Sequence, residues 1–243
     1  MNPRFFFDFA GVKIQETHIW LCLDRGEDIP AHIPDIMDQG EHLRYRKYLT
    51  ADKQREFLLG KVFTRKVLAQ YLQEKPENVP ILLNGENKPY VPGCPFFFNL
   101  SHSGGALALI VAPVSAGIDV EYMRKSVLRG YYQHVFTQAE IEGLQRLSGE
   151  AQLMRFFEIW TLKEAFWKAL DQSAHIPFND FGFSFSPIVL HQGSVGLPQK
   201  QWSFTVATWN DDFMLATAVE TTGGDPLPVK VFEKELSFVW IDS

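Results

Sequence analysis

Cysteine is scarce in this sequence, which has only Cys22 and Cys94 among its 243 residues. Two thiols cannot form the disulfide framework of a small secreted domain, and they show neither a CxxC pair nor the spacing of zinc ligands. The sequence therefore argues against a disulfide scaffold and against a thiolate metal centre. It favours a chain that folds in a reducing compartment, and we expect a cytoplasmic protein.

Long hydrophobic runs are also missing. The longest, residues 5–7 and 106–112, end at Asp8 and Pro113, well short of the roughly 18 apolar residues that span a bilayer. Asp8 also comes too early to leave room for the apolar part of a secretory signal. We therefore expect no membrane anchor and no signal peptide. The hydrophobic residues, 46% of the chain, are available for the core of one soluble domain or two small ones.

Positive charge is in deficit, since 23 basic and 29 acidic residues give a net charge of −6. A chain of this charge is not expected to bind nucleic acids or anionic membranes in general. Residues 41–75 depart from this balance, because they hold nine bases and four acids, a local charge of +5. The bases are Arg44, Arg46, Lys47, Lys53, Arg55, Lys61, Arg65, Lys66 and Lys75. The segment predicts either a site for a small polyanion such as a nucleotide or an ordinary solvated helix face.

Hydrophobic periodicity and capping residues predict three helices. One covers residues 50–72 with Thr50 as its cap, and another covers 156–170. Thr137 and Glu140 have the capping-box spacing that opens the third, through about residue 147. An antiparallel strand pair follows each long helix, at 96–100 with 106–112 and at 202–209 with 213–219. Helix followed by hairpin thus occurs twice, which predicts two similar α+β lobes joined near residues 113–117.

The segment Gly117-Ile118-Asp119-Val120-Glu121 alternates between small or apolar residues and acids. In a strand, Ile118 and Val120 would face the core. Asp119 and Glu121 would share the opposite face, with their Cα atoms roughly 6.5–7 Å apart. Two carboxylates so close repel each other unless a cation is present, and hard oxygen ligands suit Mg²⁺. The alternative is an exposed strand end with two solvated acids.

The second long helix carries charged residues among apolar ones. Glu164 and Lys168 lie one turn apart on the same face, and as a plain ion pair they would contribute only about 0.3–0.5 kcal/mol. Lys163 lies between Trp160 and Trp167 at helical spacing, where a lysine can extend over aromatic surface. These residues are thus either an ordinary charged helix face or part of a site.

The first predicted hairpin contains Ser101-His102-Ser103-Gly104-Gly105. Hydroxyls, an imidazole and the backbone amides of glycines together suit the oxygens of a phosphate. A nucleophilic serine is the less favoured use, since no acid stands at a spacing that would orient His102 as its base. A tight hairpin with a structural histidine is the other alternative.

The order of these motifs is more specific than any one of them. The basic segment is followed by Asn87-Lys88-Pro89, by residues 98–104, by residues 117–121, and by Trp160-x-x-Lys163-Glu164-Ala165-x-x-Lys168. Over about residues 44–181 this series resembles the 4′-phosphopantetheinyl transferases of the surfactin-synthetase-activating type. The resemblance implies an α+β fold with two similar lobes of helix plus antiparallel sheet. The N-terminal lobe, 1–115, would bind coenzyme A, and the C-terminal lobe, 116–243, would hold the metal and the catalytic residues. The two would form a pseudo-dimer within one monomeric chain.

The functional positions of that family fall on residues that this chain retains. The implied ligands of Mg²⁺ are Asp119, Glu121 and Glu164, and the implied catalytic residues are Glu164, Lys168 and Asp119. Contacts to coenzyme A are implied for Arg44, Arg46, Lys88, Ser101, His102, Asp119 and Lys168, with the two arginines near the 3′-phosphate. The chain departs from the family after Lys168, where Asp171 to His175 replace a glycine-rich turn.

By this resemblance the chain transfers the 4′-phosphopantetheine arm of coenzyme A to a serine of an apo acyl or peptidyl carrier protein and releases adenosine 3′,5′-bisphosphate. Three other hypotheses remain. One is a different coenzyme A or nucleotide-dependent transferase with His102 as its base and no need for the carboxylate pair. Another is a catalytically silent ligand-binding module. The last is a structural protein with surface ion pairs, which leaves the basic segment unexplained.

The loop of residues 122–136 holds Arg124, Lys125 and Arg129 and no acid. Carrier proteins of this class present an acidic helix beside the target serine, so we expect the loop to steer them electrostatically. The alternative is an ordinary solvated loop.

Overall fold

The computed structural model describes residues 12–124, 132–170, 176–193, 199–221 and 223–240. The chain forms two compact units, one of residues 1–113 with 229–243 and the other of residues 114–228. The boundary near residue 114 is close to the expected one, but the expected C-terminal lobe of 116–243 is too long. Residues from Val229 onward belong to the first unit because the strand Val229–Lys234 pairs in parallel with the strand Thr17–Leu23.

The first unit is built around a four-stranded sheet. Its helices are α1 (Gln39–Tyr45), α2 (Ala51–Leu72) and α5 (Ser237–Trp240), and its strands are β1 (Thr17–Leu23), β2 (Leu82–Leu83), β3 (Pro89–Tyr90), β4 (Phe97–Ser103), β5 (Ala106–Ala112) and β11 (Val229–Lys234). The order in the sheet is β11-β1-β5-β4, and β5 is antiparallel to both of its neighbours. β2 and β3 form a separate hairpin. All of β5 is buried, and the apolar side of α2 packs into the same core.

Local signals explain the bounds of α2 and of the β4–β5 hairpin. Thr50 precedes α2, and its hydroxyl accepts a hydrogen bond from the amide of Lys53 at 3.4 Å, which confirms the predicted cap. The helix ends at Gln73, which has the left-handed φ of 53°. β4 runs three residues further toward the turn than expected, to Ser103, whereas β5 has the expected bounds. The turn is made by Gly104 and Gly105 with φ of 57° and 89°, values that favour glycine.

Some bases of the 41–75 segment are not on the surface. Arg65 is 2% exposed and Lys66 3% exposed. The guanidinium of Arg65 donates to Glu41 at 2.9 Å and to Asp38 at 3.1 Å. Arg55 pairs with Asp24 at 2.6 Å. Neither a polyanion site nor a solvated helix face therefore accounts for the whole segment, because part of its charge is internal and already neutralised.

The second unit packs one long helix on a three-stranded antiparallel sheet. Its elements are β6 (Ala116–Tyr122), α3 (Gln138–Gln145), α4 (Gly149–Ala169), β7 (Phe181–Ser184), β8 (Val189–Gln192), β9 (Gln201–Trp209) and β10 (Phe213–Thr221). The sheet order is β6-β10-β9. Thr137 and Glu140 form the predicted capping box of α3, whereas α4 begins seven residues before the expected start at Phe156. Each unit is thus a helix on a largely antiparallel sheet, which confirms the α+β class. None of the described helices is long and apolar enough to cross a membrane.

The face of β6 that carries Gly117, Asp119 and Glu121 is covered by α4. A Cβ atom at Gly117 would lie 2.0 Å from the carbonyl oxygen of Ala165 and 2.7 Å from the amide nitrogen of Ala169. Only a residue without a side chain allows the backbones of strand and helix to come this close. Asp119 is therefore 3% exposed, and the expectation that this face points away from the core is wrong.

We predict that Gly117→Ala lowers the free energy of unfolding by about 1–3 kcal/mol or more, because the added methyl group must push α4 off β6. Urea denaturation followed by circular dichroism measures the change. Gly143 is the matched control, since it lies within α3 and a Cβ there meets nothing within 4 Å. Gly143→Ala should stabilise the protein by about 0.5–1 kcal/mol. Equal stability of Gly117→Ala and the parent protein would contradict the close approach.

Candidate functional site

The crossing of α4 over β6 brings four of the sequence-predicted residues together in the second unit, namely Asp119, Glu121, Glu164 and Lys168. Trp160, Glu164 and Lys168 lie at intervals of four residues, on one stripe of α4. The ammonium of Lys168 donates to Asp119 Oδ1 at 2.7 Å and to the carbonyl of Ile118 at 3.4 Å. Lys168 thus binds the β6 strand. The spacing in the sequence predicted only an ion pair with Glu164 on the same helix.

Glu164 has an electrostatic environment suited to proton transfer. The side chain is largely buried, and this burial, together with the negative charge of Asp119, raises its pKa to about 7, against the opposing effect of Lys168 and with a smaller contribution from Glu121. A carboxyl with a pKa near neutrality can both accept and return a proton at physiological pH. The structure therefore places a potential general base beside two further carboxylates and one lysine.

Glu121 is held by Trp160, which is not among the site residues that the sequence predicts. The indole Nε1 of Trp160 donates to Glu121 Oε1 at 3.1 Å. The indole ring in turn lies nearly parallel to that of Phe156, at 10° and 6.3 Å between centroids. The signal available in the sequence was the four-residue interval from Trp160 to Glu164, which places both on the stripe that faces β6.

The carboxylates of Asp119, Glu121 and Glu164 are suitable ligands for Mg²⁺, but they are not arranged as a preformed metal site. Within the described residues, no three or more histidine, cysteine, aspartate or glutamate side chains converge closely enough to hold a metal ion. Carboxylate oxygens are nevertheless the ligands that Mg²⁺ prefers. The raised pKa of Glu164 also reflects negative charge from Asp119 and Glu121 that a divalent cation would offset. The residues present therefore fit Mg²⁺ by donor type and by charge.

Lys163 does not extend over the surface as expected. Its side chain is fully buried and its ammonium binds Glu140 at 3.0 Å, the carbonyl of Phe178 at 2.8 Å, and the carbonyl of Phe181. Burial lowers the pKa of Lys163, while Glu140 acts in the opposite direction. This lysine ties α4 to α3 and to β7, so it is a structural cation.

In the first unit, Ser101 and His102 are neighbours on β4 and point to opposite sides. Ser101 is buried and His102 is exposed, so they do not form a nucleophile and base pair. His102 Nδ1 instead lies 2.6 Å from Glu56 Oε1 on α2. No motif indicates this acid, because Glu56 and His102 are 46 positions apart.

The remaining predicted residues of the first unit are cationic. Arg44 is in the last turn of α1, with its guanidinium carbon 6.0 Å from the ring centre of Phe57. Arg46 follows α1 as its C-cap, and Lys88 is in the turn between β2 and β3, where its amide donates to Asn84 Oδ1 at 2.8 Å. Of the basic loop, Arg124 lies 5.8 Å from the ring centre of Tyr122. Lys125, Arg129 and the departure at residues 171–175 lie outside the described residues.

Comparison with known proteins gives a consistent result. The family described as the 4′-phosphopantetheinyl transferase superfamily matches residues 115–218, and the family described as 4′-phosphopantetheinyl transferase, N-terminal, matches residues 31–114. The chain is similar to the 4′-phosphopantetheinyl transferase HetI of Nostoc sp., at 32% identity over 63% of this chain and 68% of HetI. It is similar to the 4′-phosphopantetheinyl transferase psf-1 of Bacillus pumilus at 30% identity, over 69% and 71% of the two chains. With the 4′-phosphopantetheinyl transferase gsp of Aneurinibacillus migulanus it shares 31% identity, and the match spans 56% of each chain.

The raised pKa of Glu164 predicts a pH-dependent change in stability. Its folded-state pKa of about 7 lies above the usual 4.5, so ionisation of this carboxyl opposes folding as the pH rises from 4.5 through 7. In metal-free buffer, Glu164→Gln should therefore be more stable than the parent protein at pH 8, by roughly 1–3 kcal/mol. The difference should shrink toward pH 5, as measured by urea denaturation at each pH. Glu158→Gln is the control, because Glu158 pairs with Arg155 elsewhere on α4 and should not reproduce the gain at pH 8. A Glu164→Gln variant that is no more stable at pH 8 than at pH 5, relative to the parent, would contradict the assignment.

Proposed function

This chain belongs to the 4′-phosphopantetheinyl transferase superfamily, and we propose that it transfers the 4′-phosphopantetheine arm of coenzyme A to a serine of an apo acyl or peptidyl carrier protein. The serine oxygen forms a bond to the phosphorus that bears pantetheine, and the bond from that phosphorus to the bridging oxygen of the pyrophosphate breaks. Adenosine 3′,5′-bisphosphate leaves, and the serine proton passes to a base. The arrangement of Glu164, Lys168 and Asp119 is the observation that carries this proposal.

The residues of the second unit have roles that follow from their charges. Glu164, with a pKa of about 7, accepts the serine proton directly or through a water molecule. Lys168 lies 2.7 Å from Asp119 and supplies positive charge for the oxygens of the pyrophosphate. Asp119, Glu121 and Glu164 would hold Mg²⁺, which neutralises charge on the transferring group when bound.

We assign recognition of coenzyme A to residues of the first unit. Arg44 and Arg46 bind the 3′-phosphate, and Lys88, Ser101 and His102 bind the remaining phosphate oxygens. The exposed imidazole of His102 supports this assignment, because an imidazole N–H can donate to a phosphate oxygen. We further propose that the chain acts as a monomer in the cytoplasm, where the free thiols of Cys22 and Cys94 would stay reduced.

One observation favours a second candidate. The carboxylate of Glu56 orients His102 as an acid orients a catalytic base, so His102 could act as the base of a different coenzyme A-dependent transferase that needs no metal. Transfer that persists in excess chelator and is lost in His102→Gln would support this candidate.

The proposed reaction is tested by incubating the protein with coenzyme A, Mg²⁺ and several purified apo-carrier proteins, and by weighing the carriers by mass spectrometry. Asp119→Asn should lower the transfer rate by about 10²–10³-fold, as expected for loss of a charged group that acts on the transition state. Asp211→Asn, in the exposed turn between β9 and β10, should transfer at the parent rate. Because Asp119 is buried, the unfolding free energy of each variant is measured in parallel. Full activity of a folded Asp119→Asn protein, or of the parent protein in chelator, would contradict the metal-dependent mechanism.

Docking of the carrier predicts an effect at Arg124, the described base of the 122–136 loop. Carrier proteins of this class present acidic residues, so Arg124→Glu should raise the KM for the carrier several-fold at low ionic strength and leave the KM for coenzyme A unchanged. Arg146→Glu is the control, because Arg146 is an exposed arginine at the end of α3. An unchanged carrier KM in Arg124→Glu, or an equal change in both variants, would remove Arg124 from the docking surface.

A further inference from the structure

Lys61 lies close to Arg44, although no motif in the sequence singled it out. We propose that Lys61 is a further, specificity-determining residue of the site for the 3′-phosphate of coenzyme A, where it binds the phosphate beside Arg44. The inference rests on the proposed function, because it concerns recognition of the same co-substrate.

Both cations lie beside the ring of Phe57. Lys61 Nζ is 5.4 Å from the centre of this ring, and the guanidinium carbon of Arg44 is 6.0 Å from it. Phe57 and Lys61 are four residues apart and so lie on one stripe of α2. The Lys61 side chain is 23% exposed, which leaves its ammonium within reach of a ligand. A phosphate monoester carries up to two negative charges and is bound best by more than one cation.

Arg65 continues the same stripe of α2 and fixes α1 against it. Its guanidinium donates to Glu41 and Asp38, the two residues of the capping box that begins α1. Arg44 follows Glu41 by three residues, and both belong to this short helix. The buried contact of Arg65 therefore determines where Arg44 lies relative to Lys61.

The local charges leave an excess of positive charge at this place. Glu41 approaches Lys61 at 3.6 Å, but Glu41 also binds Arg65 at 2.9 Å. Arg44, Lys61 and Arg65 thus face two carboxylates, those of Glu41 and Asp38. Burial lowers the pKa of Lys61, Glu41 opposes this effect, and the charges of Arg44 and Arg65 lower the pKa further. A bound dianion would offset the repulsion between Lys61, Arg44 and Arg65. Such an excess of positive charge is a property that a phosphate site requires.

His102 reaches the same part of α2 from the sheet. Glu56 binds its imidazole at 2.6 Å, and a Cβ at Gly60 would be 3.8 Å from its ring. Glu56 and Gly60 form the stripe next to that of Phe57 and Lys61. Two predicted phosphate-binding residues therefore contact the same short stretch of α2, residues 56–61. Glu56 contacts His102, and Phe57 contacts Arg44. Lys61 belongs to this stretch.

The test compares ligands that differ only in the 3′-phosphate. Calorimetry gives the affinity for adenosine 3′,5′-bisphosphate and for adenosine 5′-monophosphate, and the transfer assay gives KM for coenzyme A and for dephospho-coenzyme A. Lys61→Gln should weaken binding of the 3′-phosphorylated member of each pair on the order of 10-fold, since a charge-assisted hydrogen bond is lost. Binding of the other member should not change. Lys61→Arg should restore the preference for the 3′-phosphate.

Lys75→Gln is the matched control, because Lys75 is an exposed lysine of the same basic segment and lies beyond the end of α2. It should leave both affinities unchanged. Equal loss of affinity for both members of a pair in Lys61→Gln, or no loss for either, would overturn the inference. Failure of the parent protein to modify any carrier from either donor would instead overturn the proposed function, and the nucleotide affinities would still decide the role of Lys61.

Discussion

The contact between the backbones of α4 and β6 at Gly117 is the constraint on which the candidate catalytic site depends. It brings the carbonyl of Ala165 to the place where a side chain on residue 117 would be. Asp119 and Glu121 share the strand face of Gly117, and Glu164 and Lys168 flank Ala165 on the helix. The distance between strand and helix therefore determines whether Lys168 reaches Asp119 and whether Trp160 reaches Glu121. The candidate catalytic site therefore depends on the absence of a side chain at residue 117.

In each unit, a buried ion pair joins the long helix to the short helix that precedes it. In the first unit, the buried Arg65 of α2 binds Glu41, the third helical residue of the capping box that opens α1. In the second unit, the buried Lys163 of α4 binds Glu140, which holds the same position in the capping box of α3. Each glutamate thus accepts hydrogen bonds from its own helix start and neutralises a cation of the neighbouring long helix. Removal of one partner would leave a buried charge, which typically costs about 3–5 kcal/mol. The two units thus share this ion pair as well as the order of helix and hairpin, which is the only sign of the repeat in the sequence.

Local signals predicted both long helices, α3, β6 and the two hairpins, and missed the remaining elements, which are α1, α5, β1, β2, β3, β7, β8 and β11. Tertiary contacts account for the errors at the candidate site. The cap at Thr50, the capping box at Thr137 and the glycine turn of the first hairpin act within four residues, so the sequence alone indicated them. The covering of Asp119 by α4, the hydrogen bond from Trp160 to Glu121 and the pairing of Glu56 with His102 each join residues about 40 or more positions apart. Periodicity cannot indicate such contacts. The site residues were predicted from the order of the motifs and from their resemblance to a family. Such a resemblance identifies positions in the sequence, but it does not say which other residues they contact.

The two candidate sites have different local charges, which the net charge of −6 does not indicate. The second unit gathers Asp119, Glu121 and Glu164 around a single lysine, which favours a divalent cation. The first unit gathers Arg44, Lys61 and Arg65 around two carboxylates, which favours a phosphate. The sum over the whole chain does not show these local differences. The proposed reaction needs both kinds of site, because cations must bind the phosphates of the donor, while a divalent cation and a base must neutralise the transferring group and take a proton from the acceptor.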